Sequence, residues 1–536
     1  MEKYRNLALS AALALTSGAA LADEEEGVHH EIDQIIVTAT PLARTVEELA
    51  LPTSVLRGDE LAKKQSTSIG ETVSQEIGVS STYFGPAASR PVIRGQFGER
   101  VRVLSNGLDS LDASALSEDH QTTVEGLLAD RIEIVRGPAT LLYGSGAAGG
   151  LVNVVDRRIA EAPLDAAYAG GVALGLDSAT GKRDIAARMQ FGTDRVVFSG
   201  DYFFRSTDDI DIPGFAESRV LRELEEEEGE LEPEEDHARG TVENTESETD
   251  GGAFGASFIS NNGFVGVSVS GFNSEYGVPG HHHEEPDTGT PVEEEDVRID
   301  LEQTRVDIKG EYEFENDVIK GVRFRWADND YTHLELEGGA TGTVVDPQGT
   351  DGRLELRHAE WGPFEGAVGL QFKRIDFDAV GDEAFVPSSD TKRVSLFVFE
   401  ELAVNDNVVL QGSARFEDQS ISGSDLTERY DDSALGASLG VVWRRSDEFR
   451  VSTNLALTER HPNSTELYAD GPHVAAQRYE RGSVILGDGL LGKETSTNLD
   501  VSLHGDLKWA DWTLTGFINS VDDYISVSYT HLTLPT

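Results

Sequence analysis

Residues 131–156 read RIEIVRGPATLLYGSGAAGGLVNVVD. Two short β-prone runs, 132–135 and 151–155, flank a glycine-rich turn. Residues 90–109, RPVIRGQFGERVRVLSNGLD, are built the same way, with apolar runs at 92–93 and 101–104 interrupted by glycines. Glycine lacks a Cβ, so it permits tight turns and close backbone approach. The run from Gly144 to Gly150 lacks the Lys-Ser/Thr of a phosphate loop, which argues against a nucleotide site. Short helices are expected around Gly58-Asp59-Glu60 and over 66–77. Residues 45–158 thus read as one compact α+β domain.

From about residue 166 the hydrophobic period changes to two. Val265, Val267 and Val269 share one face, while Gly266, Ser268 and Ser270 share the other. Phe364, Val368 and Leu370 lie opposite Glu365, Gln371 and Lys373. Leu435, Ala437, Leu439 and Val441 alternate with Gly436, Ser438 and Gly440, and Trp443 closes the apolar row. Apolar-out, polar-in alternation with aromatic ends is the pattern of a transmembrane barrel. Short turns are expected at 192–194, 261–263, 315–317, 405–407 and 446–447. Long loops are expected at about 207–252, 273–304, 334–352, 378–391, 418–432 and 459–494, which places them outside the cell. About fifteen strands result, against about 22 in barrels whose lumen holds a plug. The final residues, SYTHLTLPT, do not form a terminal aromatic strand. The expectation is therefore a truncated sequence, with residues 159–536 forming an incomplete barrel.

Composition agrees with this class. The 536 residues include no Cys, which excludes thiolate metal sites, catalytic thiols and disulfides and leaves N and O ligands for any metal. Apolar content of 38% suits strands that are apolar on one face. Asp and Glu number 97 against 44 Lys and Arg, a formal charge of −53 that repels nucleic acid and attracts cations. Residues 1–22 read as a secretory signal: Lys3 and Arg5, an apolar core at 7–15, then Ala20-Leu21-Ala22. No segment reaches the ~18 apolar residues of a spanning helix. Residues 23–44 form an acidic linker that carries QIIVTAT at 34–40, a β-prone run suited to strand addition at a partner's sheet edge.

The long acidic segments could bind cations. One is RELEEEEGELEPEEDH, ending at Asp236-His237, followed in the next long loop by PGHHHEEPDTGTPVEEED, with His281, His282, His283, Glu284 and Glu285. Adjacent imidazoles and carboxylates make a loose site for zinc, copper or nickel.

The core Arg136-Gly137-Pro138, Tyr143-Gly144 and Gly150, with the strands behind it, resembles the plug and barrel of TonB-dependent outer-membrane receptors from about Ile32 onward. That resemblance implies an all-β transmembrane barrel with an N-terminal plug in its lumen. It also makes Gln34, Ile35, Ile36, Val37, Thr38 and Ala39 the Ton box gripped by TonB, which is driven by an inner-membrane energising complex. The segment SEDH before RGP, and ELYA-x-G-x-HVA, resemble the zinc-uptake branch. By that resemblance Asp119, His120 and His473 are metal ligands. Glu383, in GDEAFVP, matches the remaining carboxylate more loosely. Such a set of two imidazoles and two carboxylates is tetrahedral, with ligand distances of ~2.0–2.2 Å.

The expected protein is thus an outer-membrane importer of zinc in a Gram-negative bacterium, not an enzyme. Its partners would be TonB, the metal ion and outer-membrane lipid, with no nucleic acid. Zinc would be its transported substrate, with no cofactor required. A haem or ferric-siderophore receptor of the same fold is the alternative, ahead of a passive porin or adhesin. Copper, nickel and manganese share the ligand types.

Overall fold

The computed structural model describes residues 36–536, apart from 39, 43, 139–142, 221, 223–238, 280–296, 382–383, 447, 474–477, 508 and 532–536. The plug is built on a five-stranded sheet: β1 (Thr53–Arg57), β2 (Val101–Ser105), β3 (Leu108–Asp109), β4 (Arg131–Arg136) and β5 (Gly150–Val155). The order is β1-β4-β5-β2-β3, with β2 and β5 parallel. Two short helices, α1 (Gly58–Lys64) and α2 (Ile69–Val73), pack beside it. Ser68 caps α2 by accepting from Glu71 N–H, as a serine before an apolar turn should. Leu56, Leu61, Ile69, Val73, Ile93, Ile132, Ile134 and Val152 form the plug's own core. Each such side chain contributes roughly 1.5–3 kcal/mol by leaving water.

Among the described residues the barrel sheet has fifteen antiparallel strands in sequence order. They begin with β6 (Tyr168–Leu176), β7 (Arg183–Gly192), β8 (Val196–Thr207), β9 (Ser247–Ser260) and β10 (Gly263–Gly277). Next come β11 (Val297–Glu313), β12 (Ile319–Glu337), β13 (Ala340–His358), β14 (Phe364–Gly381) and β15 (Ser389–Asn405). The last five are β16 (Val408–Ser422), β17 (Tyr430–Ser446), β18 (Phe449–Arg460), β19 (Glu494–Leu507) and β20 (Ala510–Asp522). β6 and β20 are the two edges of this sheet. The alternation behaves as expected: Val265, Val267, Val269, Leu370, Leu435 and Leu439 are exposed on the outer face. Arg323, Arg325, Arg353, Gln371, Arg415 and Glu417 are buried on the inner one.

Four loop expectations need correction, and in two of them, 273–304 and 418–432, strands already occupy 273–277, 297–304, 418–422 and 430–432. Residues 334–352 are not a loop; β12 and β13 run on as a hairpin closed by Gly338-Gly339, both at positive φ. Similarly, β14 and β15 reduce the 378–391 loop to 382–388. These strands outrun the apolar band. Asp328 and Asp330 already point outward into solvent on β12, and the polar faces beyond them disguise a continuing strand as a loop.

The plug meets the barrel through mixed contacts. Ala87, Ala88, Ala113 and Leu128 pack with Phe203, Phe272, Tyr276 and Tyr331. Polar links include Arg94–Asp500 at 2.7 Å, Arg205–Glu125 at 3.0 Å and Ser145 Oγ donating to Glu417 at 2.6 Å. Buried ion pairs add little net stability because desolvation offsets their attraction, so they position the plug more than they cement it. The glycine-rich turn explains its composition here. Gly137 has φ +86°, and a Cβ there would lie 2.8 Å from the Asp500 carboxylate of the barrel. A Cβ on Gly146 would lie 2.7 Å from the Glu99 carbonyl.

Candidate metal centre

The plug segment 112–123 is a turn held from within. Asp112 accepts from Ser114 N–H at 3.1 Å and Thr123 N–H at 3.0 Å, which pins both ends. Tyr276 on β10 clasps it from the barrel, donating to the Asp119 carbonyl and accepting from Gln121 N–H, each at 3.0 Å. Asp119 and His120 are thereby fixed, both buried. The extracellular loop supplies the opposite wall. Its helix α3 (Ser464–Tyr468) starts with a capping box between Asn463 and Glu466. The short strand Asp470–His473 then pairs with Arg478–Arg481. In that register Gly471 opposes Glu480, so Glu480 and His473 share a face.

Asp119, His120 and His473 come together. Asp119 Oδ1 lies 3.4 Å from His473 Nε2, and Asp119 Oδ2 lies 3.8 Å from His120 Nε2. Ser117 Oγ donates to Asp119 and lies 2.8 Å from His473 Nε2. The barrel adds two residues that the motifs did not point to. Glu335 Oε1 is 3.5 Å from His120 Nε2 and 3.4 Å from His333 Nε2. Ligand atoms of His120, His333 and Glu335 all lie within 4.8 Å of one another. Both extra residues follow from parity: 331, 333 and 335 share the lumen face of β12 with Arg323 and Arg325. Reading 334–352 as a loop concealed that signal for Glu335.

Each imidazole turns Nε2 inward because its Nδ1 is occupied. His120 Nδ1 donates to the Ala113 carbonyl at 3.3 Å, and His473 Nδ1 donates to Glu480 at 2.9 Å. His333 Nδ1 pairs with the Tyr331 hydroxyl at 2.9 Å. Arg478 holds Glu480 at 2.7 Å, and Phe385 stacks on His473 with ring centroids 4.8 Å apart. Partners on the far nitrogen fix tautomer and ring orientation at metal sites.

The electrostatics match a cation. Burial pushes the Asp119 carboxyl up, but His120, His473 and Ser117 outweigh it and hold it well below the usual range. Burial pushes His473 down, yet its bonds to Asp119 and Glu480 raise it to about 10. His120 is likewise raised, by Asp119 and Glu335 against burial. Burial raises Glu480, but His473 and Arg478 bring it below its ordinary value. The carboxylates Asp119, Glu335 and Glu480 against Arg478 leave two net negative charges, which one divalent ion or two imidazolium protons would balance.

Other expected site residues fall elsewhere. Glu383, His237, His281, His282, His283, Glu284 and Glu285 lie outside the described residues, as do Gln34, Ile35 and Ala39 and the whole signal segment. The described part of 34–40 is docked on the plug. Ile36–Val37 pairs with Arg44–Thr45, and Val37 is buried. Thr38 donates to Glu133 from N at 2.9 Å and from Oγ1 at 3.0 Å, while Tyr143 donates to the Thr38 carbonyl at 3.1 Å.

Comparison with known proteins agrees with the architecture. The family described as "TonB dependent receptor-like, beta-barrel" matches residues 238–535, and "TonB-dependent Receptor Plug Domain" matches 45–151. The chain is 23% identical to the vitamin B12 transporter BtuB of Photobacterium profundum, over 96% of this chain and 73% of that one. A hemin receptor of Yersinia pestis is 30% identical over 156 residues, 28% of this chain and 23% of that one. Among solved structures, the copper transporter OprC superposes with a TM-score of 0.68 at 15% identity, covering 89% of this chain and 75% of that one. These relatives are transporters and receptors, not enzymes. The chain belongs to the TonB-dependent receptor family of Gram-negative outer membranes.

Proposed function

We propose that this receptor binds a divalent transition-metal ion, zinc being the best match, and imports it at the expense of TonB-supplied energy. The observation that carries the reading is the convergence of three Nε2 atoms, each oriented through its Nδ1, on the carboxylates Asp119 and Glu335 in a buried pocket. Imidazole with carboxylate is a donor set zinc accepts, and it is poorly suited to magnesium or calcium, which take oxygen alone. Glu335 fills the carboxylate role for which the sequence offered Glu383. The metal is cargo; no bond is made or broken in it beyond coordination. The acidic, histidine-bearing segments at 223–238 and 280–296 would raise the local cation concentration. TonB would grip the 34–40 segment and remodel the plug.

The relatives' names also include a B12 transporter and a hemin receptor. Against a porphyrin, His120, His333 and His473 are nearly sealed from solvent, and Phe385 covers one ring. The test is direct. Full-length receptor, purified without added metal, is titrated with zinc, copper, nickel and manganese, and separately with hemin and cyanocobalamin. One tightly held zinc, lost in Asp119→Ala, is expected. A Soret band retained through gel filtration, with no tight zinc, would replace this reading with haem uptake.

A further inference from the structure

We infer that the centre offers one ion two alternative ligand sets that share Asp119, a loop-side set and a wall-side set, so that the ion is passed from the loop to the barrel wall. This rests on the metal-binding reading above. Two donors on one tetrahedral ion at ~2.0–2.2 Å stand about 3.3–3.6 Å apart. On the loop side, Asp119 Oδ1 and His473 Nε2 are 3.4 Å apart, with Ser117 Oγ 2.8 Å from the same nitrogen. On the wall side, Glu335 Oε1 is 3.5 Å from His120 Nε2 and 3.4 Å from His333 Nε2, and Asp119 Oδ2 is 3.8 Å from His120 Nε2. The two oxygens of Asp119 face different imidazoles. The compact triad within 4.8 Å is His120, His333 and Glu335, without His473.

The two sets differ in strength and in attachment. The loop-side set has one imidazole, one carboxylate and a hydroxyl, and its histidine belongs to the extracellular segment between β18 and β19. The wall-side set has two imidazoles and two carboxylates, a complete zinc shell, anchored on the plug and on β12. Each set has its own orienting contact, Glu480 for His473 and Tyr331 for His333. Two divalent ions together would leave an excess of positive charge over the two net negative charges. The sets are therefore successive stations for one ion, and Asp119 keeps one oxygen on it throughout.

The experiment uses full-length receptor carrying His281, His282 and His283→Ala to silence the loop cluster, loaded with cobalt(II) as a visible zinc substitute. Extended X-ray absorption counts imidazoles on the ion. The expected parent shell holds two imidazoles. His473→Ala should keep that shell, with affinity reduced no more than about 10–100-fold, as for loss of a supporting contact, and with a larger loss of uptake at low metal. The double variant His333→Ala/Glu335→Gln should hold the ion through one imidazole, lost on adding His473→Ala. Three imidazoles on the parent ion, or complete loss of metal in His473→Ala, would mean a single fused site and overturn the inference. A parent that loads no cobalt and no zinc would instead remove the metal-binding reading itself.

Discussion

Zinc affinity should climb steeply with pH in a window set by the folded centre rather than by free histidine. A histidine ligates only when neutral, and its ordinary pKa is about 6.5. His120 and His473 are both raised, His473 to about 10. A raised pKa keeps a ring charged to higher pH, so near neutrality His473 carries a proton that metal binding must displace, and His120 holds its proton further up the scale than a free histidine does. Asp119 and Glu480 lie below their ordinary range and contribute no proton. Each displaced proton costs about 1.4 kcal/mol per pH unit, or tenfold in affinity. The divalent ion beside Asp119 displaces the His473 proton, so affinity rises about tenfold per unit, about 30-fold from pH ~6.5 to ~8, and the His120 proton steepens the low-pH end of that rise. Free histidines would give a flat curve over that interval. The assay is competition against a chromophoric chelator across this range, with calorimetry in buffers of differing ionisation enthalpy to count protons. More than one proton per ion is expected in the parent, and about one fewer in His473→Ala. A flat affinity above pH ~6.5, or release of far less than one proton, would refute the argument that Asp119, Glu335 and Glu480 hold these rings charged.

Glu335→Gln keeps the shape of the side chain but removes its charge from the wall of the centre, and zinc affinity should fall by at least about tenfold, the scale of losing one charge-assisted contact; isothermal titration that found no change would exclude Glu335 from the shell. Deleting residues 34–40 should leave zinc binding intact and abolish energised uptake, because strand addition supplies force and not affinity; radiolabelled uptake at the parent rate would sink the Ton-box assignment. Replacing His281, His282 and His283 together by Ala should slow uptake at scarce zinc and leave it unchanged at excess; an equal loss at both concentrations would remove the capture role.

Much of the fold was legible in the sequence because it rests on local periodicity. The two-residue alternation around Val265, Leu370 and Leu439 exists because each barrel strand faces lipid on one side and a polar lumen on the other, so hydropathy alone reports it. The plug core motif was legible for a related reason. Gly137 and Gly146 stand where any Cβ would meet Asp500 or the Glu99 backbone, and such positions leave a mark in composition. The error at 334–352 has the converse cause. Once β12 and β13 rise above the bilayer both faces are polar, the alternation fades, and a strand reads as a loop.

The sequence by itself determined the class of the protein and the strand count found among the described residues, and it pointed to three residues that meet at the candidate centre, since these depend on patterns and motifs within short windows. Only the tertiary structure decided what those residues form. His333 and Glu335 are 213 and 215 positions from His120, and Glu480 is further still. Nothing local links them until the plug turn, the β12 wall and the extracellular hairpin enclose one pocket. The charge state was decided there too: burial pulls His473 down, but Asp119 and Glu480, gathered around it by the fold, raise it to about 10, and that gathering does not exist in the unfolded chain.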